Sequence, residues 1–101
     1  MSDSSDTLTP SDTAADLQES SFTHSQGTLS ADFDTGNFVR AVQLLNEVTT
    51  VAEELNHHPD VELGYGHVKF TLSSHDVGGV TSRDLALAKR INEAARAFGN
   101  G

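Results

Sequence analysis

Three of the five histidines fall in two short stretches, Glu53-Glu54-Leu55-Asn56-His57-His58-Pro59 and, about a hairpin's length later, His75-Asp76. Imidazole is the side chain whose charge changes near neutral pH, so a group of them can hold a proton donor beside a proton acceptor. Like charges disfavour one another, so three neighbouring imidazoles would not all be protonated together. Glu53 lies four residues before His57, the helical spacing at which a carboxylate can fix an imidazole's orientation and tautomer. The negative end of a helix dipole would also favour imidazolium at His57 and His58. A metal is the weaker reading of His57, His58, His75 and Asp76. None of these residues shows the i, i+4 spacing of a zinc-binding helix, and adjacent histidine side chains diverge. Histidines at element ends are also often exposed and idle. Glu53 could be an ordinary solvated helix charge, Asp84 a helix N-terminal acid, and Tyr65 a turn or core aromatic. The residues alone leave those readings open.

The elements that must position these groups are read from periodicity. Phe38, Ala41, Val42, Leu45, Val48, Ala52 and Leu55 recur at three and four, the stripe of an amphipathic helix. Asp34 or Thr35 is expected to cap its start, and Asn56 to end it in a left-handed turn. Pro59 then forces His58 into an extended conformation. Val61, Leu63 and Tyr65 alternate on odd numbers and Val68, Phe70 and Leu72 on even ones, so a tight turn over Gly64-Tyr65-Gly66 joins two antiparallel strands. Upstream, residues 21–24 and the alternating run Thr28 to Phe33 form another hairpin, with Gly27 in its turn. Residues 73–79 read as a loop. Thr81 or Ser82 caps a last helix with Asp84 in its first turn and Leu85, Ala88, Ile91, Ala95 and Phe98 along its buried face.

Residues 1–20, rich in Ser, Thr and Asp, are expected to be a mobile acidic tail. A short helix over about 10–19 is signalled there by Thr9, Pro10 and Asp12. Residues 21–101 form the folded domain. The order helix, hairpin, helix, hairpin, helix implies an α+β fold: a four-stranded antiparallel sheet with three helices packed on one face. A ferredoxin-like split βαβ arrangement is the other outline.

The chain has 101 residues, enough for one modest core, and with 36 % hydrophobic residues and no Trp a monomer has little core to spare. The absence of cysteine excludes disulfides, thiolate metal sites and a thiol nucleophile. A formal net charge of −9, with no Lys or Arg before Arg40, argues against nucleic acid as a partner. Neither a membrane span nor a signal peptide is legible, so a cytoplasmic location is expected.

The run Phe33, Phe38, Ala41, Leu44, Val48, Ala52-Glu53, His57-His58-Pro59, Tyr65, Ser74-His75-Asp76, Gly79, Thr81, Asp84, Leu85-Ala86 resembles the pterin-4a-carbinolamine dehydratases over about residues 28–98. The pattern Glu-x-x-x-His-His-Pro, then Tyr, then Ser-His-Asp is specific to that family. The resemblance implies the same four-stranded sheet with three helices on one side, and a homodimer or homotetramer. It implies an enzyme that removes water from 4a-hydroxytetrahydropterin to give quinonoid dihydropterin, recycling the cofactor of aromatic amino-acid hydroxylases. It needs neither metal nor bound cofactor. Carried over by position, His57, His58 and His75 are catalytic, Glu53 and Asp84 support them, and Ser74, Asp76 and Tyr65 bind the substrate. His57 is the expected base, its tautomer held by Glu53, and His75 the expected acid. Animal members also serve as dimerisation cofactors of a homeodomain transcription factor, so a protein-binding module without catalysis is the competing expectation. A third is action on another pterin, such as one of molybdenum-cofactor metabolism. The sequence departs from the family pattern in lacking the usual Trp near Phe22, and in Thr35 and Thr49.

Overall fold

The computed structural model describes residues 7–97; Phe98, expected on the buried face of the last helix, lies outside the described residues. The elements are α1 (Pro10–Thr13), β1 (Thr23–Ser25), β2 (Thr28–Asp34), α2 (Phe38–Leu55), β3 (Asp60–Gly64), β4 (His67–Leu72) and α3 (Ser82–Ala95). The strands form one sheet in the order β1-β2-β4-β3, every neighbouring pair antiparallel. This is the expected α+β arrangement, and it contains a split βαβ unit: β2, α2 and β3 in sequence, with β4 inserted between the parallel β2 and β3.

Alternation decides which face of the sheet is covered. Leu29, Ala31 and Phe33 stand opposite Leu72, Phe70 and Val68 across the central ladder, and all six are buried. Against them lie Leu44, Val48 and Val51 of α2 and Leu87, Ala88, Ile91 and Ala95 of α3. Fully burying a side chain such as Phe70 or Leu87 is worth about 1.5–3 kcal/mol, which makes this face the main source of stability. Phe22 is buried and meets Phe33 edge-on, with ring centroids 6.0 Å apart.

Turn chemistry sets the registers. Gln26 and Gly27 both have positive φ, 52° and 80°, the pattern of a two-residue hairpin turn that follows the strand twist. At the start of α2 the cap is Asn37, whose side chain accepts the Arg40 N–H, instead of Asp34 or Thr35. Those two residues serve the preceding turn. Asp34 accepts the Gly36 N–H, and the Thr35 N–H donates to the Gly66 carbonyl. The β3–β4 turn lies so close here that a Cβ on Gly66 would come within 3.3 Å of Gly36.

The segment expected as a tail makes specific contacts from Thr7 onward. Thr9 and Asp12 form a reciprocal capping box around α1, as the Thr-Pro-Ser-Asp spacing predicts. The helix is a single turn, shorter than the span of about 10–19 expected, and residues 14–19 continue as turns. Thr13 is buried, Leu17 packs on the core, and the Leu8 N–H donates to the Val80 carbonyl.

Candidate functional site

The site begins where α2 ends. Asn56 takes the left-handed conformation, φ 53° and ψ 43°, and the His57 N–H turns back to the Ala52 carbonyl at 3.1 Å. This closes the helix and caps the Ala52 and Glu53 carbonyls. It also takes His57 off the helical spiral, so the spacing from Glu53 no longer places the two side by side. Glu53 pairs with His58 instead, Oε2 to Nε2 at 2.7 Å. The expectation that Glu53 holds the His57 tautomer is therefore corrected: the left-handed residue between them breaks the i, i+4 relation.

The carboxylate on His57 is Asp84. Its Oδ1 lies 2.6 Å from His57 Nε2, with the Asp84 side chain fully buried and that of His57 only 12 % exposed. The other oxygen, Oδ2, accepts the Thr81 N–H at 2.9 Å and the Ser74 hydroxyl at 2.8 Å. Ser74 Oγ and Thr81 Oγ1 are themselves 2.8 Å apart. Asp84 is thus both the helix N-terminal acid and the partner of His57. One oxygen completes the α3 capping box and the other reaches into the site.

This network assigns the imidazole's tautomer. A carboxylate only accepts, so the hydrogen between Asp84 and His57 belongs to Nε2. Nδ1 makes no hydrogen bond among the described residues and is not buried, so it opens to solvent. His57 is held through one nitrogen and presents the other.

His75 follows Ser74 directly, in the turn after β4 that is closed by the Ser74 N–H to Gly79 carbonyl bond at 2.8 Å. Its side chain is exposed and makes no hydrogen bond or ion pair among the described residues. Asp84 is therefore the bridge that brings the two histidine segments to one end of the sheet: His57 on one oxygen, Ser74 beside His75 on the other.

The expected substrate-binding residues fare differently. Ser74 is buried and its hydroxyl is used by Asp84 and Thr81. Asp76 is exposed and takes both oxygens to one nitrogen of Arg83, at 2.9 and 3.1 Å, on the first turn of α3. Those bonds hold the Asp76 carboxyl below its ordinary value of 3.8, and the guanidinium charge adds to the effect. Tyr65, 80 % exposed, sits in the turn at the other end of β3 from His57 and His58, next to the start of α2. Within one chain it is not brought to the histidines. Sequence reading gave Thr81 only a capping role and Arg83 none. The Thr-x-x-Asp capping spacing was the signal for Thr81, and Arg83 offered no local spacing to read.

A small α+β domain that seats one imidazole on a buried carboxylate, with a second, exposed imidazole in the loop fastened to that carboxylate, has the parts for proton transfer. The family model described as pterin 4 alpha carbinolamine dehydratase matches residues 6–94, and the chain belongs to that family. A Nocardia farcinica protein provisionally named a pterin-4-alpha-carbinolamine dehydratase is 40 % identical over 75 residues, 74 % of this chain and 79 % of that one. A similarly named Afipia carboxidovorans protein is 46 % identical over 67 residues, 66 % and 67 % of the two chains. Among solved structures, the crystal structure of a transcriptional coactivator/pterin dehydratase from Brucella melitensis matches with a TM-score of 0.81 at 27 % identity, covering 88 % of this chain and 98 % of that one. No helix among the described residues is long and apolar enough to cross a membrane.

Proposed function

We propose that the protein dehydrates 4a-hydroxytetrahydropterin to quinonoid dihydropterin by histidine acid/base catalysis, so recycling the cofactor of aromatic amino-acid hydroxylases. The observation that carries this reading is the state of His57: Nε2–H seated on buried Asp84, Nδ1 open to solvent. In the reaction the C4a–O bond breaks with its electron pair leaving on oxygen, and the N5–H electrons form the new C4a=N5 bond. His57 Nδ1 takes the N5 proton, and the imidazolium that forms faces the Asp84 carboxylate at 2.6 Å. His75, free of protein partners, gives a proton to the departing hydroxyl, which leaves as water. Proton return from His57 to His75 through solvent resets the pair. His58, paired only with exposed Glu53, is assigned contact with the pterin from its place next to His57.

The test is the dehydration rate of freshly generated 4a-hydroxytetrahydropterin for the protein and its His57→Ala and His75→Ala variants. Removing one positioned acid or base is expected to cost about 10²- to 10⁴-fold. A folded protein with no acceleration over the uncatalysed reaction sinks the reading and leaves the protein-binding module in its place. Tetrahydropterins with different side chains, assayed in parallel, identify the physiological pterin.

The assembly we propose is a homo-oligomer built on β3. This strand is one of the two edges of the sheet, the other being the three-residue β1, and Val61 and Leu63, opposite Phe70 and Val68 on the helix-facing side, are 38 % and 40 % exposed. Phe38 at the start of α2 is 46 % exposed beside the same turn. An unpaired edge with apolar flanks is a surface proteins normally cover. Leu63→Lys is expected to lower the mass seen by light scattering to that of one chain. An unchanged mass places the contact elsewhere.

A further inference from the structure

The loop from Ser74 to Val80, which carries His75, is fastened to α3 by Asp84 and Arg83. It has a third fastening, from the other end of the chain. The Leu8 N–H donates to the Val80 carbonyl at 2.7 Å. Thr7 lies against Gly79 so closely that a Cβ there would meet its methyl at 3.2 Å. Gly79 is the residue whose carbonyl takes the Ser74 N–H. The β1–β2 turn approaches the same loop, since a Cβ on Gly27 would stand 3.9 Å from the Gly78 carbonyl.

The two approaching segments are tied to each other. Thr13, fully buried at the end of α1, has its Oγ1 2.7 Å from His24 Nδ1 on β1. His24 stands opposite Leu29 in register, on the side of the sheet that faces the core. A single helical turn has little stability of its own, so the position of α1 depends on such tertiary ties. Leu8 lies just before the Thr9 cap of that turn, so where α1 sits decides whether Leu8 reaches Val80.

We propose that residues 7–25 form a clasp, locked by the Thr13–His24 hydrogen bond, that holds the loop bearing Ser74 and His75 and so positions His75 for the reaction. Thr13, His24 and Leu8 are positioning residues, remote from the reacting atoms. The catalytic half of the statement rests on the dehydratase reading; the holding of the loop does not.

The experiment compares Thr13→Val, which removes the hydroxyl at nearly constant shape, with Thr13→Ser, which keeps it. Two further variants are Leu8→Pro, which deletes the N–H given to Val80, and Leu8→Ala, which keeps it. Amide hydrogen exchange is read at Ser74 and Gly78, both bonded within the loop, and along the β2–β4 ladder as the control for folding. Thr13→Val, which also gives up the hydroxyl's 3.3 Å bond to the Pro10 carbonyl, and Leu8→Pro are expected to speed exchange at Ser74 and Gly78 by about three- to tenfold, the scale of a net hydrogen bond. The ladder stays protected, and Thr13→Ser and Leu8→Ala stay near wild type. In an active protein kcat falls by a similar factor in the same two variants, with KM less affected. Unchanged exchange at Ser74 and Gly78 in both variants overturns the clasp. Faster exchange with unchanged kcat overturns its role in positioning His75. A wild-type protein without dehydratase activity removes the catalytic half with the reading it rests on, and the exchange data then decide the clasp alone.

Discussion

His57 and His58 are adjacent, and each sets Nε2 on a carboxylate at nearly the same distance, 2.6 and 2.7 Å. Their surroundings are opposite. The His57–Asp84 side chains are 12 % and 0 % exposed, those of His58 and Glu53 55 % and 71 %. Asp84 is fixed by two further donors from Ser74 and Thr81, whereas Glu53 is a long side chain at the end of a helix with no other partner among the described residues. Equal bond length therefore conceals unequal constraint. One imidazole has a set tautomer and a set direction, while the other can swing away at the cost of a solvated ion pair. The cause is local: left-handed Asn56 turns the chain so that successive side chains leave in different directions, one toward α3 and one toward water.

The comparison breaks most sharply at Asp84. Replacement by Ala removes the acceptor of the Thr81 N–H and of His57 Nε2 at once and leaves the Ser74 hydroxyl only Thr81 Oγ1. Losing one partner of a buried pair costs about 3–5 kcal/mol, measurable by urea denaturation. Asp84→Asn is the finer cut. Two donors meet at Oδ2, so the amide oxygen stays there and the amide N–H₂ faces His57. Nε2 must then accept, and the ring proton moves to Nδ1, where it blocks the base. Dehydratase activity is expected to drop by about 10⁴-fold, the scale of a wrong tautomer, with the fold kept. Ring ¹⁵N shifts of His57 report the tautomer directly. Retention of the Nε2–H form alongside normal activity would take the tautomer-holding role away from Asp84.

Glu53→Gln sharpens the other side. The pair it removes is exposed, so stability should change by about 1 kcal/mol or less, and less still in high salt. Denaturation midpoints at two ionic strengths check this. A loss comparable to that of Asp84→Ala would mean that Glu53 is held by something beyond His58.

The fold was legible because its signals are local and periodic. The three- and four-residue stripe of α2, the parity flip across Gly64-Tyr65-Gly66 and the Asn56 stop each lie within one element or one turn. The site was legible in its members and not in its pairings. Asp84 lies 27 residues from His57 and Glu53 only four, so spacing favoured the wrong carboxylate, and it could not register that Asn56 ends the spiral between them. The α2 cap failed for a related reason. Asp34, Thr35 and Asn37 are all capping types within four residues, and the contact that commits Thr35 to the turn comes from Gly66, far along the chain. Tyr65 was grouped with the histidines by pattern alone, while the length of β3 separates them.

The smallest expected effect concerns Asp76, whose partner also lies on the first turn of α3. Both its oxygens are taken by Arg83, and those hydrogen bonds hold its carboxyl below the ordinary 3.8. A carboxyl lowered in the folded state binds its proton later than in the unfolded chain. It adds stability above about pH 3.8 that disappears as the pH falls through the lower, folded value. In Arg83→Gln the carboxyl is expected to titrate closer to 3.8 in a ¹³C NMR titration. Asp12 provides the internal control, since its own lowering comes from the Thr9 backbone and hydroxyl, so it should not move in that variant. The same variant separates two uses of Asp76. If Asp76 is a strut for the histidine loop, freeing it disturbs His75 and lowers the rate without weakening substrate binding. If instead it meets the pterin, freeing it from Arg83 changes KM first.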